Sequence, residues 1–193
     1  MDFCDLIKTR RTIRLFKQQP ISRNVLWDLI DVARTAPSAA NKQPLEYIIV
    51  DDREVVEKIF PQLAWAAAVK PKRTPHASAQ PVAYIVVLIN EKIALPDYGK
   101  VDAAAAIENI LLAAHSKSIG TCWLGSVNRD NVRQILSIEE NMTIDSVIAL
   151  GYAAEKPIAE DANAGDVTYY LDNNNTLHIP KRPLNEIIHA NGY

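Results

Sequence analysis

Three arginines crowd one short stretch, RRTIRLF at 10–16, and no acidic residue occurs between Ile7 and Trp27. Guanidiniums held this close repel one another unless a phosphate or carboxylates accept their forked donors. If the stretch is extended, Arg10, Thr12 and Arg14 project to one side by the two-residue period, placing two forks and a hydroxyl around one anion. A second basic pair, Lys181 and Arg182, has no acidic residue after it until Glu186 and can reach the same anion from the far end of the chain. Either group alone reads equally well as a solvated basic surface.

A different chemistry is offered by APSAANKQP, where Pro37, Ser38, Asn41, Gln43 and Pro44 put hydroxyl and carboxamide groups on a stiff loop. The edge of a planar heteroaromatic ring presents alternating donors and acceptors that such carboxamides satisfy. The plainer alternative is a loop that ends a helix. GTCWLG, residues 120–125, adds glycines that permit close backbone approach around Trp123.

The elements that must position these groups follow from periodicity. Phe3, Leu6 and Ile7 predict a short first helix from Asp2 to Arg10. Ser22 is a candidate N-cap for a second, whose Val25, Leu26, Leu29, Ile30, Val32 and Ala33 form its buried stripe. LEYIIV predicts a strand, followed by a helix in DDREVVEKIF. The apolar run Val82 to Ile89 is expected at the centre of a sheet covered on both faces. A long Ala-rich helix is expected from Asp97 to Ser118, buried all round and ended by Gly120 at its C′ position. A helix at Arg129 to Leu136 and a strand at Ser146 to Leu150 follow, then two extended pieces around an Asn turn and a last short helix from Leu184 to His189. Few strands among many helices predict an α+β class with helices on both faces of one sheet.

The whole chain limits the function. At 193 residues, 48% hydrophobic and 23% charged, it suits a globular domain. A net charge of −2 makes the basic stretch a local feature and argues against nucleic-acid binding. The longest apolar run is too short to span a bilayer and the N-terminus lacks the order of a secretory signal, so a cytoplasmic location is expected, with no membrane partner. Cys4 and Cys122 are expected to pack, and His76, His115, His178 and His189 have no metal-ligand spacing.

These pieces, in this order, resemble the nitroreductase family of FMN enzymes: RRTIRLF, APSAANKQP, GTCWLG, LGYAAEKP and PKRPLNEIIH span nearly the whole chain. The resemblance implies a single FMN-binding domain over 1–193. It further implies a central mixed or antiparallel sheet flanked by helices, and a homodimer with FMN at the interface. Arg10, Arg11, Thr12 and Arg14 would contact the FMN phosphate and ribityl chain, joined by Lys181 and Arg182. Pro37, Ser38, Ala39 and Asn41 of the partner subunit would line the flavin, with Gln43 beside them. Leu124 and Gly125 would lie near the ring and Trp123 would pack beneath it. No catalytic residue is required, because the flavin carries the chemistry. NADH or NADPH would give hydride to flavin N5, and a nitroaromatic, quinone or similar small acceptor would follow in ping-pong fashion. Relatives also reduce free flavin, dehalogenate or cleave flavin with oxygen, and a flavin-binding protein without turnover is a further alternative. Lys70, Lys72 or Arg73 is a candidate positive charge near flavin N1 and O2. The segment 61–80 has no motif that names a substrate residue, and Leu45 stands where many relatives carry an aromatic residue.

Overall fold

The computed structural model describes residues 2–66, 69, 73–163 and 165–193. In chain order it contains α1 (Phe3–Thr9), β1 (Phe16–Lys17), α2 (Arg23–Ala33), β2 (Leu45–Val50), α3 (Arg53–Ile59), β3 (Ala83–Asn90), α4 (Gly99–Ser116), β4 (Ile119–Leu124), α5 (Arg129–Leu136), β5 (Met142–Ala153), β6 (Ile158–Asp161), β7 (Tyr170–Leu171) and β8 (Leu177–Lys181). Asp52 caps α3 by accepting from the amides of Glu54 and Val55, and Asn128 caps α5 by accepting from Asn131.

β3 lies inside the sheet, as its apolar run requires. It pairs antiparallel with β2 on one side and β5 on the other. β4 and the short β1 both pair antiparallel with β5, so every ladder of this sheet is antiparallel. Alternate residues of β3 feed two cores. Tyr84, Val86 and Leu88 pack with Val56, Ile59, Trp65 and Val132 on the face carrying α3 and α5. Ala83, Ile85 and Val87 pack with Leu26, Leu29, Ile107 and Ile110 on the face carrying α2 and α4. This is the α+β arrangement expected, with helices on both faces.

α1 forms where its spacing placed it and buries none of its residues; Phe3 and Ile7 are exposed. Four expectations need correction. Val32 of α2 is exposed and stands outside the buried stripe. α4 is not buried all round, because Val101 faces outward, as does Tyr98 at its N-cap. Its end is made by Ser118, left-handed at φ 60°, and not by Gly120, which belongs to β4. There a Cβ would sit 2.8 Å from Ile13 Cγ1, so glycine serves close packing. The final helix is reduced to a 3-10 turn, Leu184–Glu186.

The extended pieces near the C-terminus form a second, three-stranded sheet, in which β8 runs parallel to β6 and antiparallel to β7. His178 holds it together. Its Nδ1 lies 2.8 Å from Glu160 and its Nε2 3.4 Å from Asp172, while the ring stacks on Tyr170 at 4.9 Å. The hydrogen bond with Glu160 is the main reason that the imidazole pKa is raised. Cys122 is buried, and burial pushes its thiol up to about 11, whereas Cys4 is exposed. No helix among the described residues is long and apolar enough to cross a membrane.

Candidate functional site

RRTIR leaves α1 in extended conformation at Arg10. The Ile13 N–H then donates to the Thr121 carbonyl at 2.9 Å, and Thr12 forms a bridge with Thr121 on β4. Ile13 is buried, which leaves its neighbours Thr12 and Arg14 to the other side. The charge deficit read along the chain is offset in space. Arg10 Nε lies 3.5 Å from Glu108 of α4. Arg11 turns back to donate to the carbonyls of Arg10 and Lys8, so it satisfies the C-terminal end of α1. Burial, with Arg10 close by, lowers the Arg11 pKa. His115 lies 3.1 Å from the Thr9 hydroxyl; burial and then the two neighbouring arginines lower its pKa.

Arg14 differs from both. Its Nε is buried and has no hydrogen-bond partner among the described residues, and its guanidinium lies 5.9 Å from the centre of the Tyr169 ring. A buried unpaired N–H of a cation is costly and calls for an acceptor from outside the chain. Directly behind it, the Arg14 and Leu15 amides donate to one oxygen of Glu155. The other oxygen takes Arg73 Nη2 at 2.6 Å and Nε at 2.9 Å. Arg73 is therefore committed to Glu155 and to Asn175, 3.2 Å from its Nη1. Lys70 and Lys72 lie outside the described residues.

Two open cavities lie along β4. The larger, of about 1040 Å³, is rimmed by Lys8, Arg10, Arg11, His115 and Lys156 over an apolar floor that includes Ile13 and Ile119. The smaller, of about 550 Å³, is lined by Lys100, Trp123, Gly125, Arg129 and Asp145. Thr121 lines the first and Gly125 the second, roughly 13 Å apart at extended-strand spacing. Leu124 points into the core, so only its backbone is available, while Trp123 is 42% exposed. Around Gly125 no atom of the described residues lies within 4 Å of where a Cβ would be. Arg129 steadies this turn by donating to the carbonyls of Gly125 at 3.2 Å and of Ile144 and Asp145 at 2.8 Å each.

The loop at 37–44 is built on Asp102, a buried carboxylate in the first turn of α4, where the helix dipole favours negative charge. Ser38 Oγ donates to it at 2.6 Å and the Ala39 N–H at 3.0 Å. Ser38 in turn accepts the Gln43 N–H at 2.9 Å, and the Gln43 side chain donates to Asn41 Oδ1 at 3.1 Å. Ala40, Asn41 and Gln43 all have positive φ, at 50°, 55° and 51°. Each such non-glycine residue costs on the order of 1 kcal/mol, and strain of this kind concentrates at functional sites. Pro37 is exposed beside them.

Arg10, Arg11, Thr12 and Arg14 are thus brought to β4, whose far end carries Leu124 and Gly125. Pro37, Ser38, Ala39, Asn41 and Gln43 gather near the N-terminal end of α4. Lys181 and Arg182 stand apart on and just after β8, exposed, with Arg182 3.7 Å from Glu186. Asp102, Glu155 and Glu108 escaped the sequence reading, since each acts on a segment far away in the chain. The one available signal was Glu155 inside LGYAAEKP.

A model of the nitroreductase family matches residues 7–152. A candidate NADH dehydrogenase/NAD(P)H nitroreductase of Methanothermobacter thermautotrophicus is 35% identical, over 83% of this chain and 82% of the relative. A protein of the same description from Archaeoglobus fulgidus is 36% identical, over 78% of this chain and 85% of its own. Among solved structures, a candidate NADH dehydrogenase/NAD(P)H nitroreductase of Parabacteroides distasonis superposes with a TM-score of 0.71 at 25% identity, covering 99% of this chain and 98% of its own.

Proposed function

Because this chain belongs to the nitroreductase family, we propose that it is an FMN-dependent NAD(P)H oxidoreductase, folded as one FMN-binding domain over residues 1–193. The observation that carries the reading is the buried, unpaired Nε of Arg14 on the RRTIR strand, which suits the phosphate end of FMN. A solved relative from Desulfovibrio desulfuricans is described in complex with FMN. When bound, FMN supplies the redox chemistry, taking hydride from NAD(P)H and passing electrons to a nitroaromatic, quinone or similar small acceptor in ping-pong order.

The chain's own residues bind and orient. Arg10, Thr12 and Arg14 hold the phosphate and ribityl chain. Arg11 contributes chiefly by finishing α1 in the geometry that aims the strand, and Lys181 and Arg182 reach the phosphate by their long stems. The backbone at Leu124 and Gly125 meets the ring edge, Trp123 shields it from water, and Arg129 fixes the turn. Pro37, Ser38, Ala39, Asn41 and Gln43 act from the partner subunit in a homodimer. The test is the absorption spectrum of purified protein loaded with FMN, before and after NADH or NADPH. A flavin spectrum that bleaches on addition and returns with a quinone supports the reading; protein unable to take up FMN overturns it.

A further inference from the structure

Glu155 is an odd neighbour for an anion site. Its carboxylate is 6% exposed and sits directly behind Arg14, where a bare negative charge would repel a phosphate. Yet it accepts from four donors: the amides of Arg14 and Leu15, and Arg73 Nε and Nη2. The two amides share a single oxygen, which fixes the two peptide planes on either side of the Arg14 Cα and with them the direction of the Arg14 Cα–Cβ bond. Arg73 cancels the charge, and is itself held by Asn175 from the turn between β7 and β8. Three segments distant in sequence therefore meet at one carboxylate, which itself lines the larger cavity, while the Arg14 Nε beside it is buried without a partner among the described residues.

We propose that Glu155 is a positioning residue for the cofactor phosphate, aiming Arg14 through its backbone while Arg73 keeps the pair neutral toward the ligand. This rests on the FMN reading above. It distinguishes Glu155 from a plain structural staple, because an aimed arginine matters to a ligand with a phosphate and not to one without. Riboflavin shares the ring and ribityl chain of FMN and lacks only that phosphate.

The test is titration of FMN and of riboflavin into wild type and Glu155→Asp, followed by flavin fluorescence. Asp keeps the charge but is too short to reach both amides, so it releases the Arg14 backbone. Wild type is expected to prefer FMN. In the variant that preference should shrink about tenfold, as a charge-assisted contact is misaimed, with riboflavin affinity unchanged. Equal weakening of both ligands, or an unchanged preference, overturns the positioning role while leaving the FMN reading intact. A wild type indifferent to the phosphate sinks the clamp itself, and this proposal with it. If Glu155→Asp does not fold, Glu155→Gln is measured instead: it keeps an acceptor for the two amides, so the preference for FMN should be retained, and its loss overturns the aiming role.

Discussion

At the scale of single residues, the three arginines of RRTIR have three different environments, which their adjacency in sequence conceals. Arg10 faces Glu108, Arg11 is spent on the carbonyls of Lys8 and Arg10, and Arg14 alone keeps a buried N–H without a partner among the described residues. Substitution should separate them. Arg14→Ala removes a forked, charged donor worth ~1.5 to 3 kcal/mol and should weaken FMN binding about 10- to 100-fold by fluorescence titration. Arg11→Ala should leave FMN affinity within about twofold, while lowering the melting temperature by fraying α1. Equal losses from the two would return them to a single undifferentiated cluster. The basic residues themselves were visible in the sequence. Their partners were not, because Glu108, Glu155 and Asp102 lie 63 to 141 positions from the residues they hold, and no local pattern encodes contacts at that separation.

At the scale of elements, legibility tracked how local the cause was. β3 announces itself by an unbroken apolar run that only a strand covered on both faces can use, and α5 forms at Arg129–Leu136, where a helix is expected. Gly120 shows the limit. Reading it as the stop of α4 invoked a local rule, whereas its actual duty is to let Ile13, a residue of another segment, lie against β4. The same contact docks RRTIR to the strand through the Ile13 to Thr121 hydrogen bond. Gly120→Ala should therefore destabilise by about 1 to 3 kcal/mol through overpacking in urea unfolding, and should weaken FMN binding as the strand shifts. A stable variant with full FMN affinity would show that Ile13 can retreat freely. The second sheet was legible only as extended pieces, since its β6 to β8 pairing is parallel and long-range and its His178 contacts come from three strands or turns.

At the scale of the whole molecule, the two halves of the proposed site lie toward opposite ends of one helix. Asp102 pins the loop at the start of α4, while Thr9, leading into RRTIR, meets His115 near its end, roughly 20 Å further at about 1.5 Å per residue. A two-fold dimer whose axis runs perpendicular to this helix would set it antiparallel to its copy, and the loop of one protomer would then approach the RRTIR strand of the other. The outward faces suit such pairing. Phe3 of α1, Trp27 of α2 and Val101 of α4 are exposed, as are Leu184, Ile187 and Ile188 near the C-terminus. Sites shared between protomers make a specific prediction. Arg14→Ala spoils the strand half, and Asn41→Ala spoils the loop half, since it removes the carboxamide that accepts from the Gln43 side chain. Each variant alone should lose tight FMN binding at both sites of its homodimer. A mixed dimer of the two concentrates both lesions in one site and leaves the other whole, so co-expressed, doubly tagged heterodimer should recover about one FMN per dimer by absorbance. If each site is built within one chain, no site in the mixed dimer is intact, and tight FMN binding stays absent.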